Sequence, residues 1–171
     1  MANGQRIGTD LYLIEMIDNS VKYYCDVSLQ KTDNEKWLFL LRMVLYDSDY
    51  VEFNVFKGCF DKIQEIEIIS KHKIDTAIPK PLQKIYPRDS FIRYLLHEDV
   101  IKFILSKHYM EWENFYLEDI SIFKDEMEIF ATITHENYVI MLLNEAQYND
   151  LNSKGYNFTY FLPANFSLRP K

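Results

Sequence analysis

Glycine is scarce, with four residues in 171. So few glycines leave little material for a phosphate-cradling loop, and neither a P-loop nor a G-x-G-x-x-G fingerprint occurs. Gly-x-Ser-x-Gly is missing as well, which removes the nucleophile elbow of the α/β-hydrolases. Cysteine is limited to Cys25 and Cys59, too few for a disulfide scaffold and in keeping with a reducing cytoplasm. Without any Cys-x-x-Cys, a structural zinc site has no ligand spacing to build on. No apolar run nears the eighteen or so residues that span a bilayer. The leading Met-Ala-Asn-Gly-Gln-Arg-Ile-Gly has no apolar signal-peptide core. Positive charge is also short: 19 Lys and Arg face 26 Asp and Glu, for a net charge of −7. That balance argues against direct nucleic-acid binding, whose affinity comes from neutralising phosphates.

What is present suits a compact core. Hydrophobic residues make up 48% and aromatics 16%, with thirteen Tyr and twelve Phe, a composition that argues against disorder. At this length the expectation is a single domain spanning 1–171. It divides into a β-rich half, 1–73, and a second half, 87–162, of helix, acidic β-meander and helix. The fold class expected is α+β, predominantly antiparallel, with two meanders, a central helix and a short C-terminal helix.

In the first half, Leu11 to Ile17 reads as a strand. Tyr23 to Leu29 alternates, with Tyr23, Cys25, Val27 and Leu29 on one face. Trp37 to Tyr46 is apolar except for Arg42 and fits a buried strand or a short helix. Val51, Phe53 and Val55 alternate against Glu52 and Asn54, as in a hairpin partner of that run. Lys57 to Lys73 suits helix or strand, and Pro79, Pro81 and Pro87 mark a crossing loop.

The second half opens on the central helix. Asp89 or Ser90 can cap it, and apolar residues recur at 91, 92, 95, 96, 100, 101, 104 and 105. His97-Glu98-Asp99 can divide that run in two. Strands follow near 117–123, 127–134 and 138–143, with turns at Lys124-Asp125 and Glu136-Asn137. Asn144 and Gln147 form a capping box, Leu143 and Tyr148 a hydrophobic staple, and Gly155 with Tyr156 a Schellman end. The resulting helix covers Glu145 to Ser153, and an edge strand at 158–162 stops at Pro163.

Motif chemistry is sparse. His97-Glu98 and His135-Glu136 begin like the zinc-protease H-E-x-x-H, but Ile101 and Val139 stand at the fifth position. His72 and His108 have no ligand spacing, and the four histidines read as surface or helix-end residues. Cys25 reads as core, and Cys59 as a buried thiol. Asp47, Asp49 and Glu52 lie close enough for a hard cation, yet the twelve-residue calcium loop is absent, so they read as turn acids. No catalytic residue, metal or cofactor is therefore expected.

The distribution of charge is the usable lead. Residues 108–150 hold ten acids and one base, Lys124, for a net −9, whereas residues 57–107 are net +3 and residues 151–171 are net +3. Acids alternating with Ile and Phe predict a sheet that buries one face and presents carboxylates on the other. The candidate partner-binding residues are Glu111, Glu113, Glu118, Asp119, Glu126 and Glu128, with Trp112 and Tyr116 as aromatic anchors. Such a face attracts a basic protein surface and speeds its association.

The segment Leu96 to Phe123 resembles a helix-to-strand module of bacterial immunity proteins from polymorphic-toxin systems. Val100, Ile104, Phe115, Leu117 and Ile120 fall at its apolar positions, and Tyr116 stands where the family has proline. The resemblance covers under a third of the chain. It implies a cytoplasmic inhibitor that binds a toxin domain and carries no catalytic residues. The expected function is thus a small acidic inhibitor, of immunity or anti-defence type, that occludes a basic surface of a toxin, nuclease or nucleic-acid-binding protein. Two alternatives are an enzyme or small-ligand domain with a site assembled from residues distant in sequence, and a structural oligomer subunit.

Overall fold

A computed structural model describes residues 21–29, 34–55, 64–74, 91–113 and 115–163. The strands are β1 (Lys22–Asp26), β2 (Tyr50–Val55), β3 (Lys73–Ile74), β4 (Phe91–Leu95), β5 (Leu117–Lys124), β6 (Met127–Ile133), β7 (Tyr138–Leu143) and β8 (Thr159–Pro163). The α-helices among the described residues are α1 (Asn34–Leu45), α2 (Gln64–Ser70), α3 (Glu98–Leu105) and α4 (Glu145–Ser153), with short 3-10 turns at Tyr109–Trp112 and Thr134–Glu136. All the strands join one antiparallel sheet in the order β3-β4-β2-β5-β6-β7-β1-β8. The α+β class is as expected, but the two meanders are one sheet. β1 lies between β7 and β8, and β2 lies between β4 and β5, so strands from the two halves of the sequence interleave.

Of the two readings open for 37–46, a buried strand or a short helix, the helix is the one found: residues 34–45 are helical, with Trp37, Leu40, Leu41, Val44 and Leu45 buried at helical spacing. Leu38 and Met43, partly buried against the same core, and the exposed Phe39 blur that period in the sequence. β2 consequently pairs with β4 and β5 rather than with the run before it. The expected central helix is also divided. Phe91–Leu95 is a strand, with Tyr94 in the helix-side core and Arg93 buried in the sheet. The helix begins only at Glu98, where His97 accepts a hydrogen bond from the Asp99 N–H. Residues 11–17, Asp89, Ser90 and Cys59 lie outside the described residues.

The C-terminal helix follows its local code. Asn144 accepts from the Gln147 N–H at 2.9 Å, and Gln147 returns the bond to the Asn144 N–H at 3.0 Å. At the other end, Gly155 takes φ +84°, its N–H bonds Asn152 O, and the Tyr156 N–H bonds Leu151 O. This is the Schellman arrangement, and Leu151 and Tyr156 are both buried in the same core. The β5–β6 hairpin turns through Asp125 and Glu126, with φ +47° and +65°, between the paired Lys124 and Met127. Two consecutive left-handed residues suit the right-handed twist of the strands they join.

All four described helices contribute to one core cluster on one face of the sheet. Trp37, Leu40, Leu41 and Phe53 are almost wholly buried there, and each such residue contributes roughly 1.5–3 kcal/mol of transfer free energy. Phe53, Phe103 and Trp112 form its aromatic centre, with Trp112 stacked on Phe53 at 5.7 Å. A smaller cluster of Tyr23, Cys25, Ala131, Ile133 and Ile140 is built from strand residues alone. Buried polar groups accompany these clusters, notably Glu52 and Arg93, opposite each other on β2 and β4. The Arg93 Nε donates to Glu52 Oε1 at 2.7 Å, and the guanidinium lies 4.7 Å from the Phe123 ring centre. Among the described residues, no helix is long and apolar enough to cross a membrane.

Candidate functional site

The acidic residues of residues 108–150 do not share one exposed face. Every residue of β5 from Leu117 to Phe123 is buried, so the alternation of acids and aliphatics there does not separate solvent from core. Asp119 is the extra residue of a β-bulge, opposite the Phe53/Asn54 step, with φ +47°. Aspartate tolerates that left-handed conformation better than most residues. Its carboxylate accepts from Thr134 N at 2.6 Å and from Asn54 Nδ2 at 3.0 Å, so it holds the bulge together. Glu118 is buried, with Oε1 4.0 Å from His135 Nδ1. Glu128 is buried, and its backbone oxygen accepts from the Tyr23 hydroxyl at 2.8 Å. Burial, reinforced by the Glu128 charge, pushes the Tyr23 hydroxyl well above its ordinary value. Trp112 is a core aromatic at 1% exposure, and Tyr116 is half-buried against the same core.

Glu111, Glu113 and Glu126 are exposed, but they are not neighbours. Glu111 and Glu113 precede β5, whereas Glu126 follows it, and eight extended residues separate these ends by roughly 25 Å. Glu111 is further engaged locally, accepting from the His108 N–H at 2.6 Å as the return half of a capping box.

A denser acidic group forms at the far end of β5. The turn after α1 carries Asp47 and Asp49, and the β5–β6 turn carries Asp125 and Glu126. Lys124 Nζ pairs with Asp47, and the Asp125 N–H donates to Asp49 Oδ2 at 2.8 Å. These bonds bring two turns, far apart in sequence, into one surface. Ser48 Oγ donates to Val44 O, tying the first turn to α1. Beside it stand Tyr46 at 93% exposure, Met127 at 47% and Leu95 at 47%. Tyr46 thus presents its whole ring to solvent next to these carboxylates. The sequence reading took Asp47 and Asp49 as plain turn acids and grouped Glu52 with them; Glu52 instead pairs with Arg93 inside the sheet.

A second polar group lies near the same end. His72 occupies the turn between α2 and β3, and its backbone is fixed on both sides: its N–H donates to Ile69 O and its carbonyl accepts from Leu95 N. His97 caps α3, and Asp99 sits in that helix's first turn. His72 Nε2 is 3.3 Å, His97 Nδ1 3.6 Å and Lys71 Nζ 2.8 Å from Asp99 Oδ2. The two imidazole rings stack at 4.1 Å with 16° between their planes. Hydrogen bonds from Lys71 and His72 hold the Asp99 carboxyl at about 2, below its ordinary value. Asp99 also lines a groove of about 320 Å³ between α2 and α3, with Ile68, Ile69, Lys102, Phe103 and Ser106. His97 stood out in sequence as part of a failed protease motif and of a break in the helical run. His72 lies 25 positions earlier, and no linear spacing connects the two.

Neither a family model, nor a curated protein, nor a solved structure matches the chain.

Proposed function

We propose that the protein is an acidic inhibitor that works by binding, docking a basic surface of a partner protein onto the end of its sheet formed by the α1–β2 and β5–β6 turns. The partner is a toxin, nuclease or nucleic-acid-binding protein, in the manner of an immunity or anti-defence protein acting in the cytoplasm. The single observation that carries this reading is Tyr46, 93% exposed, beside Asp47, Asp49, Asp125 and Glu126. The carboxylates steer a cationic surface towards the patch, and their pairing across it fixes orientation. Tyr46 supplies the amphipathic ring that interface centres favour, with Met127 and Leu95 as apolar surroundings. Of the residues expected from sequence, Glu126 belongs to this patch. Glu111 and Glu113 form a separate exposed pair at the opposite end of β5. Trp112, Glu118, Asp119 and Glu128 act by supporting the fold that presents it.

The test compares the wild-type chain with a Tyr46→Ala, Asp47→Arg, Glu126→Arg variant as baits in cells of the native source. Asp49 is left in place because it accepts the Asp125 N–H. The wild type should retain a basic protein that the variant loses. Association of the purified pair should slow by about tenfold or more in the variant, with a weaker salt dependence. Equal capture of the same basic protein by both chains would overturn the proposed surface.

A small-ligand or enzymatic site is the second reading. The observation in its favour is the groove between α2 and α3, which has an ionised carboxylate and two imidazoles at one end.

A further inference from the structure

We propose that His72, His97 and Asp99 form a binding site for a divalent transition-metal ion of the zinc class, at the end of the groove between α2 and α3. The donor set is two imidazole nitrogens and one carboxylate oxygen, which suits zinc and its neighbours rather than magnesium or calcium. The spacing agrees. Around a tetrahedral ion with bonds near 2.0–2.2 Å, donor atoms lie about 3.3–3.6 Å apart. His72 Nε2 and His97 Nδ1 stand 3.3 and 3.6 Å from Asp99 Oδ2.

Two features make the cluster more than a polar neighbourhood. The first is backbone anchorage. His72 is clamped between Ile69 O and Leu95 N, while His97 and Asp99 belong to the first turn of α3. Both histidines therefore stand on backbone that is already ordered, and binding requires the stacked rings to turn so that both lone pairs aim at one ion, without ordering a loop. The second is that the Asp99 carboxylate already attracts a cation, the Lys71 ammonium at 2.8 Å. Lys71 is 63% exposed and can withdraw into solvent when a doubly charged ion takes its place. The Leu96 N–H bonds Asp49 O, which sets the cluster near the acidic end of the sheet.

Asp99 also supplies a wall of the groove, beside the apolar side chains of Ile68, Ile69 and Phe103. The other grouping of such side chains, Glu118, Asp119 and His135, is a different case. Both Asp119 oxygens there are held by buried hydrogen bonds from Asn54 and Thr134, whereas the Asp99 N–H to His97 Nδ1 bond that an ion would displace is exposed and 3.4 Å long.

The experiment is titration of the full chain with zinc chloride, followed by calorimetry and by NMR of the four histidine rings. One equivalent should bind. The ring signals of His72 and His97 should shift, and those of His108 and His135 should stay in place. His72→Ala and His97→Ala should each weaken binding at least about tenfold, and Lys71→Gln, which removes the competing cation, should strengthen it. Cobalt(II) should give the intense visible bands of a tetrahedral site in the wild type and lose them in His97→Ala. Absence of saturable zinc binding, or shifts confined to His108 or His135, would overturn the proposal. The NMR readout uses the unaltered chain, so it decides the matter even if a variant fails to fold.

Discussion

Replacing Arg93 by methionine tests how the sheet tolerates charge in its interior. Arg93 and Glu52 face each other across β4 and β2 at 3% and 0% side-chain exposure, and the guanidinium donates to Glu52 Oε1 from Nε at 2.7 Å. It also lies over the rings of Phe123 and Tyr50, at 4.7 and 5.2 Å. Methionine fills much of the arginine stem's volume, so the loss is chiefly electrostatic. Removing one member of a buried pair costs about 3–5 kcal/mol, because the remaining charge keeps its desolvation penalty and loses its counter-ion. With a urea slope of about 2 kcal/mol per molar, the unfolding midpoint should fall by about 1.5–2.5 M. In a domain of this size the melting temperature should drop by roughly 6–20 °C. The matching double variant, Glu52→Met with Arg93→Met, should recover most of that loss, since an apolar pair of similar volume has no desolvation penalty to offset. Urea denaturation followed by circular dichroism on the four members of the cycle gives the coupling directly. A loss below about 1 kcal/mol in Arg93→Met, or a double variant less stable than either single, would refute the account of a desolvated, mutually dependent pair.

Further outcomes follow from local geometry. Gly155→Ala should destabilise by about 1 kcal/mol in the same assay, since φ is +84° and an added Cβ would meet Lys36 Nζ at 3.0 Å. Asn144→Ala removes the cap of α4 and should cost about 1 kcal/mol, whereas Asn144→Ser should cost less. Burial, with a smaller push from the Asp26 charge, raises the Cys25 thiol to about 12. In a Cys59→Ser background the native protein should therefore leave Cys25 unmodified by a thiol reagent at pH 8, until denaturant is added. Cys25 and Tyr94, the latter also raised to about 12 by burial, are held neutral in the fold. Their contribution to stability is complete below their unfolded values and is lost as pH rises towards 12. The urea midpoint should accordingly fall above about pH 9–10.

The sequence by itself determined those elements whose signals are local. Asn144, Gln147, Gly155 and Tyr156 specify both ends of α4 through bonds that span at most five residues, and β6 and β7 keep the expected bounds to within a residue. It also determined the class, because aromatic and aliphatic content with turn residues at the strand ends leaves an antiparallel α+β arrangement. The burial of individual acids was not determined in this way. Alternation of Glu118, Asp119 and Ser121 with Ile120 and Ile122 implies one wet face only if the strand has one. β5 is an inner strand with β2 and β6 on either side and is buried on both faces, so its polar residues serve a bulge and interior hydrogen bonds. The division of residues 91–105 into β4 and α3 was likewise settled by pairing, since β4 gains β2 and β3 as partners that a continuous helix would lose. The two surface groupings that matter most, Tyr46 with the acids of two turns and His72 with His97 and Asp99, depend on contacts between segments far apart in the chain. Only the closing of the sheet brings those segments together.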